Sequence, residues 1–346
     1  MPHHDRPASA VPASGDEERT RYACASRMLD SPSLLGRLGA EAGELDPSAP
    51  PAARVLAGSA RLRHAARVGV FAGSFNPLTE AHAALARAAR AQAGLDVIVW
   101  LCATRTVDKE RVERAALPDR LAQLVAYACA ATAAAVALTN RGLYVDEARA
   151  LRPVLAPHAQ LSVLVGFDKI VQILDPRYYV DRDAALRALF AEANVLVAPR
   201  AGAGREALTA LLARPENRPF GDRVAYLAVA PQHADDSSTA ARQLSADARW
   251  DDVRALVVPE AYALARETGA YGRDSGEEAT RYAVRERWLA ALSRLDPRAR
   301  RTLPGLRELP RATGVPDARG AALRAWLDAV SRDSSVPPPP LDNERG

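Results

Sequence analysis

Between positions 67 and 248, short runs of Val, Leu and Ile alternate with longer stretches whose apolar residues recur at helical spacing. The strand-like runs are 67–73 (RVGVFAG), 96–102 (DVIVWLC), 136–139, 161–165 (LSVLV, closed by Gly166), 194–198 (NVLVA) and 223–229. Helical patterns occupy 83–93, 118–133, 144–155, 168–174, 182–191, 205–213 and 238–248, with Pro118 suited to a first helical turn. Strands that alternate with helices pair in parallel through right-handed crossovers, which predicts an α/β fold with a doubly wound parallel sheet. Ligands of such sheets bind beyond the carboxyl ends of the strands, so the chemistry is expected in the loops that follow strands.

The flanks read differently. Residues 1–60 are dominated by Pro, Ala, Ser and acidic residues, and are expected to be a mostly disordered extension. One helix is predicted over 31–42, followed by a Pro-rich break at 47–53. Beyond Tyr271 the alternation stops, and 277–295 and 321–330 read as helices of an added segment. The expected organisation is therefore an extension over 1–60, a catalytic-size α/β domain over 61–275, a helical C-terminal extension over 276–332 and a disordered tail over 333–346. Four prolines in a row, Pro337 to Pro340, mark that tail.

Charge and cysteines exclude several classes. The net charge of +4 is small for 346 residues, and no dense basic stripe marks a nucleic-acid footprint. Cys24, Cys102 and Cys129 are widely spaced, without metal-ligand spacing, as in a reduced cytoplasmic protein. No apolar run is long enough to span a bilayer, and the polar N-terminus does not read as a signal peptide. A homo-oligomer stays open. Among 46 basic residues only Lys109 and Lys169 are lysines. In so Arg-rich a chain, those two positions suit a compact ammonium on a flexible stem, unless their retention is chance.

The loop after the first strand-like run reads GSFNPLTEAH over 73–82. Gly73 permits a sharp turn and close approach to a ligand, Ser74 and Asn76 can hold the turn, and Pro77 stiffens it. Thr79 and His82 lie three apart at a helix start, where free N–H groups and the helix dipole favour phosphate. An ordinary N-cap fits the same spacing.

Residues 69–85, GVFAGSFNPLTEAHAAL, resemble the first motif of the nucleotidyltransferase superfamily whose signature is His or Thr, any residue, Gly, His. Thr79 and His82 take the first and last places, and Ala81 stands where the family usually has Gly. Residues 236–244, DSSTAARQL, are similar to the second motif, Ser-Ser-Thr-x-x-Arg, at the start of a late helix. Further matches follow the order of the nicotinamide and nicotinate mononucleotide adenylyltransferases: Lys109 in VDKE, Asp168 in GFDK, Tyr178 and Tyr179 in DPRYY, Arg200 in VAPR, and a Pro-then-Tyr helix over 258–271.

The resemblance implies transfer of AMP from ATP to a pyridine mononucleotide, with magnesium (Mg2+) entering on the ATP. It implies His82, Thr79, Lys109 and Arg242 in the reacting centre, with His82 at the α-phosphate and Lys109 at the acceptor phosphate. It places Gly73, Ser74, Phe75, Asp168, Ser237, Ser238 and Thr239 around ATP, Arg242 and its neighbouring hydroxyls serving the leaving pyrophosphate. Ser74, Asn76, Lys109, Tyr178, Tyr179 and Arg200 fall to the mononucleotide. It names no dedicated metal cage, only Asp168 near the ion. The shorter pantetheine-phosphate adenylyltransferases and cytidylyltransferases, class I aminoacyl-tRNA synthetases and a non-catalytic nucleotide-binding module are the competing readings.

Overall fold

A computed structural model describes residues 15–104, 115–200, 202–229, 236–273 and 275–308, with positions 321, 322, 325, 326, 328 and 329. The chain opens with helices α1 (Gly15–Met28) and α2 (Pro32–Gly43), then strand β1 (Ala53–Ala57) and the short helix α3 (Ser59–His64). The alternating core follows as β2 (Arg67–Ala72), α4 (Glu80–Ala93), β3 (Val97–Ala103), α5 (Leu117–Ala130), β4 (Ala134–Thr139), α6 (Tyr144–Leu151) and β5 (Gln160–Gly166). It continues as α7 (Phe167–Leu174), α8 (Arg182–Glu192), β6 (Ala193–Ala198), α9 (Arg205–Ala213), β7 (Val224–Tyr226) and α10 (Ser238–Ala246). Helices α11 (Trp250–Leu256), α12 (Pro259–Thr268), α13 (Glu277–Arg294) and α14 (Pro297–Thr302) complete the described chain.

The seven strands form one sheet in the order β1-β4-β3-β2-β5-β6-β7. Every pair is parallel except β1 with β4. This is the doubly wound α/β sheet that the alternation predicts. From β2 the chain winds outward through β3 and β4, then returns to lay β5 on the other side of β2. The reversal opens a crevice at the carboxyl ends of β2 and β5.

The central strands are apolar on both faces because both are covered. Residues alternate between them: Phe71, Ile98, Trp100, Val136 and Leu164 enter one core, Val70, Val99, Leu101, Val163 and Val197 the other. The first core is closed by α4, α5, α12 and α13 and the second by α6 to α9.

The expectation of a mostly disordered 1–60 does not hold over the described residues from 15 onward. Helix α2 buries Leu35 and Leu38 completely, β1 pairs with β4, and α1 packs on α5 and α12. Helix α1 escapes a hydrophobicity reading because its sequence, GDEERTRYACASRM, is polar. Its hold comes from a short apolar edge, Tyr22, Ala25 and Met28 in the first core, together with specific pairs. Arg21 makes two 2.8 Å bonds to Glu260, whose side chain is 1% exposed, and the Tyr22 hydroxyl donates to Glu267. Residues 1–14 and 331–346 lie outside the described set. Helix α13 spans one of the added helices expected from sequence. It packs against α2, and its buried Trp288 lies 5.4 Å from Trp326, ring to ring.

Candidate functional site

The loop from Gly73 to Thr79 leaves the carboxyl end of β2 and enters α4. Gly73 is exposed and Ser74 half-buried, while Phe75, Asn76, Pro77, Leu78 and Thr79 are buried. Phe75 has φ +43°, a left-handed conformation that a bulky residue adopts only where its surroundings impose it. Below the backbone its ring packs against Phe71 and Trp100, at centroid distances of 5.7 and 5.3 Å. Phe75 therefore supports the loop from inside the core.

Four consecutive carbonyls of this loop each accept a side-chain hydrogen bond. From α5, Arg120 reaches Ser74 O at 2.8 Å and Gln123 reaches Phe75 O at 2.6 Å. From α10, Arg242 reaches Asn76 O at 2.7 Å and the Ser238 hydroxyl reaches Pro77 O at 2.8 Å. Gln123 also accepts from Leu78 N at 3.3 Å. The two motifs of the sequence thus meet, with 166 positions between Asn76 and Arg242. Neither Arg120 nor Gln123 belongs to a motif. Their mark in the sequence is three polar residues, Asp119, Arg120 and Gln123, in one stretch of an otherwise apolar helix, and all three are buried.

Thr79 is the N-cap of α4 and His82 its third residue, and the two form a reciprocal cap. Thr79 N donates to His82 Nδ1 at 3.1 Å, while His82 N donates to Thr79 Oγ1 at 3.4 Å. Thr79 Oγ1 also lies 2.6 Å from Nδ1. A ring nitrogen that accepts from a backbone N–H carries no proton itself, so the neutral imidazole holds its hydrogen on Nε2. Burial, with the nearby positive charge of Arg200 adding to it, lowers the His82 pKa to about 4. At neutral pH the side chain is an uncharged donor at the positive end of a helix. The ordinary N-cap and the functional reading are here the same geometry.

The remaining residues divide into two groups. Ser237 caps α10 by accepting from Ala240 N at 3.1 Å, and Thr239, exposed, accepts from Arg242 at 3.1 Å. Asp168, in the first turn of α7, lies 3.5 Å from Arg200 Nε, just beyond β6, and both side chains are at least half exposed. An added Cβ on Gly166 would stand 2.7 Å from Asp168 Oδ1, and the half-exposed carboxylate would have to turn aside. Tyr178 and Tyr179 follow α7: Tyr178 is 58% exposed, whereas Tyr179 donates its hydroxyl to Ile173 O at 2.8 Å. Ala81 sits half-buried in the first turn of α4. Lys109 lies outside the described residues.

A rigid, carbonyl-anchored turn, a neutral imidazole donor and a guanidinium with further N–H groups to offer are the kinds of group that suit a polyphosphate. The family model for cytidylyltransferase-like proteins matches residues 70–244. The "Probable nicotinate-nucleotide adenylyltransferase" of Gloeobacter violaceus is 29% identical over 218 residues, covering 61% of this chain and 98% of that protein. Its namesake in Desulfotalea psychrophila is 30% identical over 142 residues, 39% of this chain and 64% of that protein. The solved Plasmodium falciparum nicotinic acid mononucleotide adenylyltransferase complexed with NaAD aligns at a TM-score of 0.44 with 14% identity, covering 59% of this chain and 97% of that one.

Proposed function

The chain belongs to the cytidylyltransferase-like family of nucleotidyltransferases, and from that premise we propose that it transfers AMP from ATP to a pyridine mononucleotide, with nicotinate mononucleotide as the preferred acceptor. The observation that carries this reading is the meeting of the two turns, Arg242 and Ser238 bonded to the loop that leads into His82. The acceptor preference follows the names of the relatives.

An acceptor phosphate oxygen attacks the α-phosphorus of ATP in line. The bond from that phosphorus to the β-bridging oxygen breaks, and pyrophosphate leaves. The attacking phosphate is already ionised, so no general base is required, and the protein acts by positioning and by stabilising charge. His82 Nε2–H donates to the α-phosphate, with Thr79 holding the ring by its Nδ1. Arg242 already spends N–H groups on Asn76 and Thr239, and its remaining donors face the leaving phosphates, beside Ser238 and Thr239. Lys109 receives the acceptor phosphate, Arg200 and Asn76 line the mononucleotide, and exposed Tyr178 is the better ring for stacking on the pyridine. Magnesium belongs to the nucleotide substrate in this reading. Asp168, half exposed and 3.5 Å from Arg200 Nε, is the carboxylate that would serve such an ion.

The test is pyrophosphate release from ATP with nicotinate mononucleotide, nicotinamide mononucleotide and pantetheine phosphate in parallel, and from CTP with each. Turnover with ATP and nicotinate mononucleotide well above the other pairs is the expected result. Turnover confined to pantetheine phosphate or CTP, or none with any pair, would remove the reading.

A further inference from the structure

The helices outside residues 70–244 reach into the nucleotide loop through one buried cluster. Asp119, in the first turn of α5, is fully buried. Arg285 of α13 grips it with Nε at 3.0 Å and Nη2 at 2.6 Å, and Tyr282 of the same helix donates its hydroxyl to Asp119 Oδ2 at 2.9 Å. The Tyr282 oxygen in turn accepts from Ala116 N at 2.7 Å, satisfying an amide at the start of α5 that has no partner within the helix. Arg285 Nη2 also donates to Leu29 O, just past the end of α1, at 2.7 Å. The entry turn of α5 is thereby fixed by helices from both ends of the chain.

That turn is what holds the loop. Arg120, next to Asp119, bonds Ala115 O and Ser74 O, and Gln123, one turn on, bonds Phe75 O and Leu78 N. Phe75 sits at φ +43°, a conformation that persists only while its surroundings enforce it. The turn also receives the chain directly after residues 105–114, which include Lys109. A buried ion pair is a poor device for stability alone, because well-packed apolar residues often do as well. What it supplies is a fixed geometry.

We propose that Asp119, Tyr282 and Arg285 are positioning residues: the appended helix α13 sets the N-terminus of α5, and through Arg120 and Gln123 sets the backbone of the nucleotide loop. The cluster touches no reacting atom. Its kinetic consequence rests on the function proposed above, but its structural consequence does not.

Two variants separate position from bulk stability. Tyr282→Phe keeps the ring and the ion pair and removes the hydroxyl shared by Asp119 and Ala116. The double variant Asp119→Asn/Arg285→Gln removes both charges together, so that no lone charge is left buried. Leu303→Ala, a buried apolar residue just beyond α14, is the control for destabilising the same appendage. Amide hydrogen exchange of peptides covering 73–79 and 115–123 is measured on the full chain beside thermal midpoints, and kcat and KM for ATP are measured alongside.

Both cluster variants are expected to speed exchange at 73–79 by about fivefold to tenfold, the equivalent of one net hydrogen bond. The KM for ATP should rise by a similar factor, with kcat changing less. Leu303→Ala should lower the midpoint and leave 73–79 at the wild-type rate. Wild-type exchange at 73–79 in folded Tyr282→Phe, or an equal rise in Leu303→Ala, overturns the proposal. If the double variant does not fold, Tyr282→Phe decides alone. If wild type transfers nothing to any acceptor, the function reading fails while the exchange data still judge the coupling.

Discussion

The guanidinium of Arg242 donates to the main-chain carbonyl of Asn76 at 2.7 Å, joining a turn of α10 to the turn between β2 and α4. An arginine read as a phosphate ligand is thus held by the backbone of the opposite turn. Phosphate need not recruit this side chain from solvent, and little of its rotamer entropy remains to be lost on binding. Ser238 makes a parallel contact to Pro77 O, so α10 cannot shift without taking the loop with it.

Arg242→Ala should therefore do two kinds of damage, removing the donor for the leaving phosphates and releasing the loop. Loss of a preorganised charged donor of this type lowers kcat by roughly 100-fold to 1,000-fold. Arg242→Lys keeps the charge but cannot serve Asn76, Thr239 and a phosphate with one planar fork, so it should fall between alanine and wild type. Steady-state pyrophosphate release with saturating acceptor measures both. Equal rates in the lysine variant and wild type would mean that charge alone matters.

His82 gives a prediction in pH. Its pKa is lowered to about 4, chiefly by burial and then by Arg200, below the ordinary 6.5 of an imidazole. The rate should accordingly run flat through pH 6 to 8, with no limb near 6.5 from this residue. A group that resists protonation in the fold gives stability that is lost as pH falls from about 6.5 toward 4, where the unfolded chain takes the proton first. His82→Gln, which keeps an N–H donor, should retain more activity than His82→Ala. A wild-type profile with a clear inflection at 6.5 that vanishes in His82→Gln would contradict a neutral imidazole.

The sheet was legible because buried parallel strands must be apolar throughout, and runs such as DVIVWLC and LSVLV show it directly. The two turns that meet were legible because Thr79, His82, Ser238 and Arg242 are polar side chains set at helix starts. Arg120 and Gln123 were not, since their partners are the carbonyls of Ser74 and Phe75, and nothing in the sequence says which backbone a helix will face. Helix α1 was hidden for a related reason. Its place is fixed by Arg21 with Glu260, a pair separated by 239 positions, beside an apolar edge no longer than Tyr22, Ala25 and Met28. Strand β1 is a five-residue antiparallel edge, outside the alternation that made the others readable.

Gly58 joins β1 to α3 at φ +79°, and an added Cβ would stand 2.9 Å from both Ala134 O and the Ala135 Cα. Both obstacles are main chain of β4, which cannot swing aside as a side-chain tip would. The left-handed conformation and the overpacking together predict that Gly58→Ala costs roughly 2–4 kcal/mol. Thermal or urea unfolding measures this, and a loss under about 0.5 kcal/mol, the range of ordinary surface substitutions, would show that the edge strand tolerates displacement.

Glu147 titrates with the opposite sign to His82. It lies in the first turn of α6, 5% exposed, and its Oε2 has no hydrogen-bond partner among the described residues. Burial first, and the nearby charge of Asp146 second, raise its pKa from 4.5 to about 8. The folded protein keeps this proton at neutral pH, where the unfolded chain has released it. The stability it contributes is complete below about pH 4.5 and drains away as pH rises through 8, on the order of a few kcal/mol in all. Glu147→Gln presents a neutral amide at every pH and should carry none of this slope. Its thermal midpoint should therefore gain on wild type as pH rises from 5 to 8.5. With that slope removed, the fall in stability below pH 6.5 that belongs to His82 should stand out in the variant. Midpoints of variant and wild type that move in parallel across this range would place an ionised carboxylate at position 147.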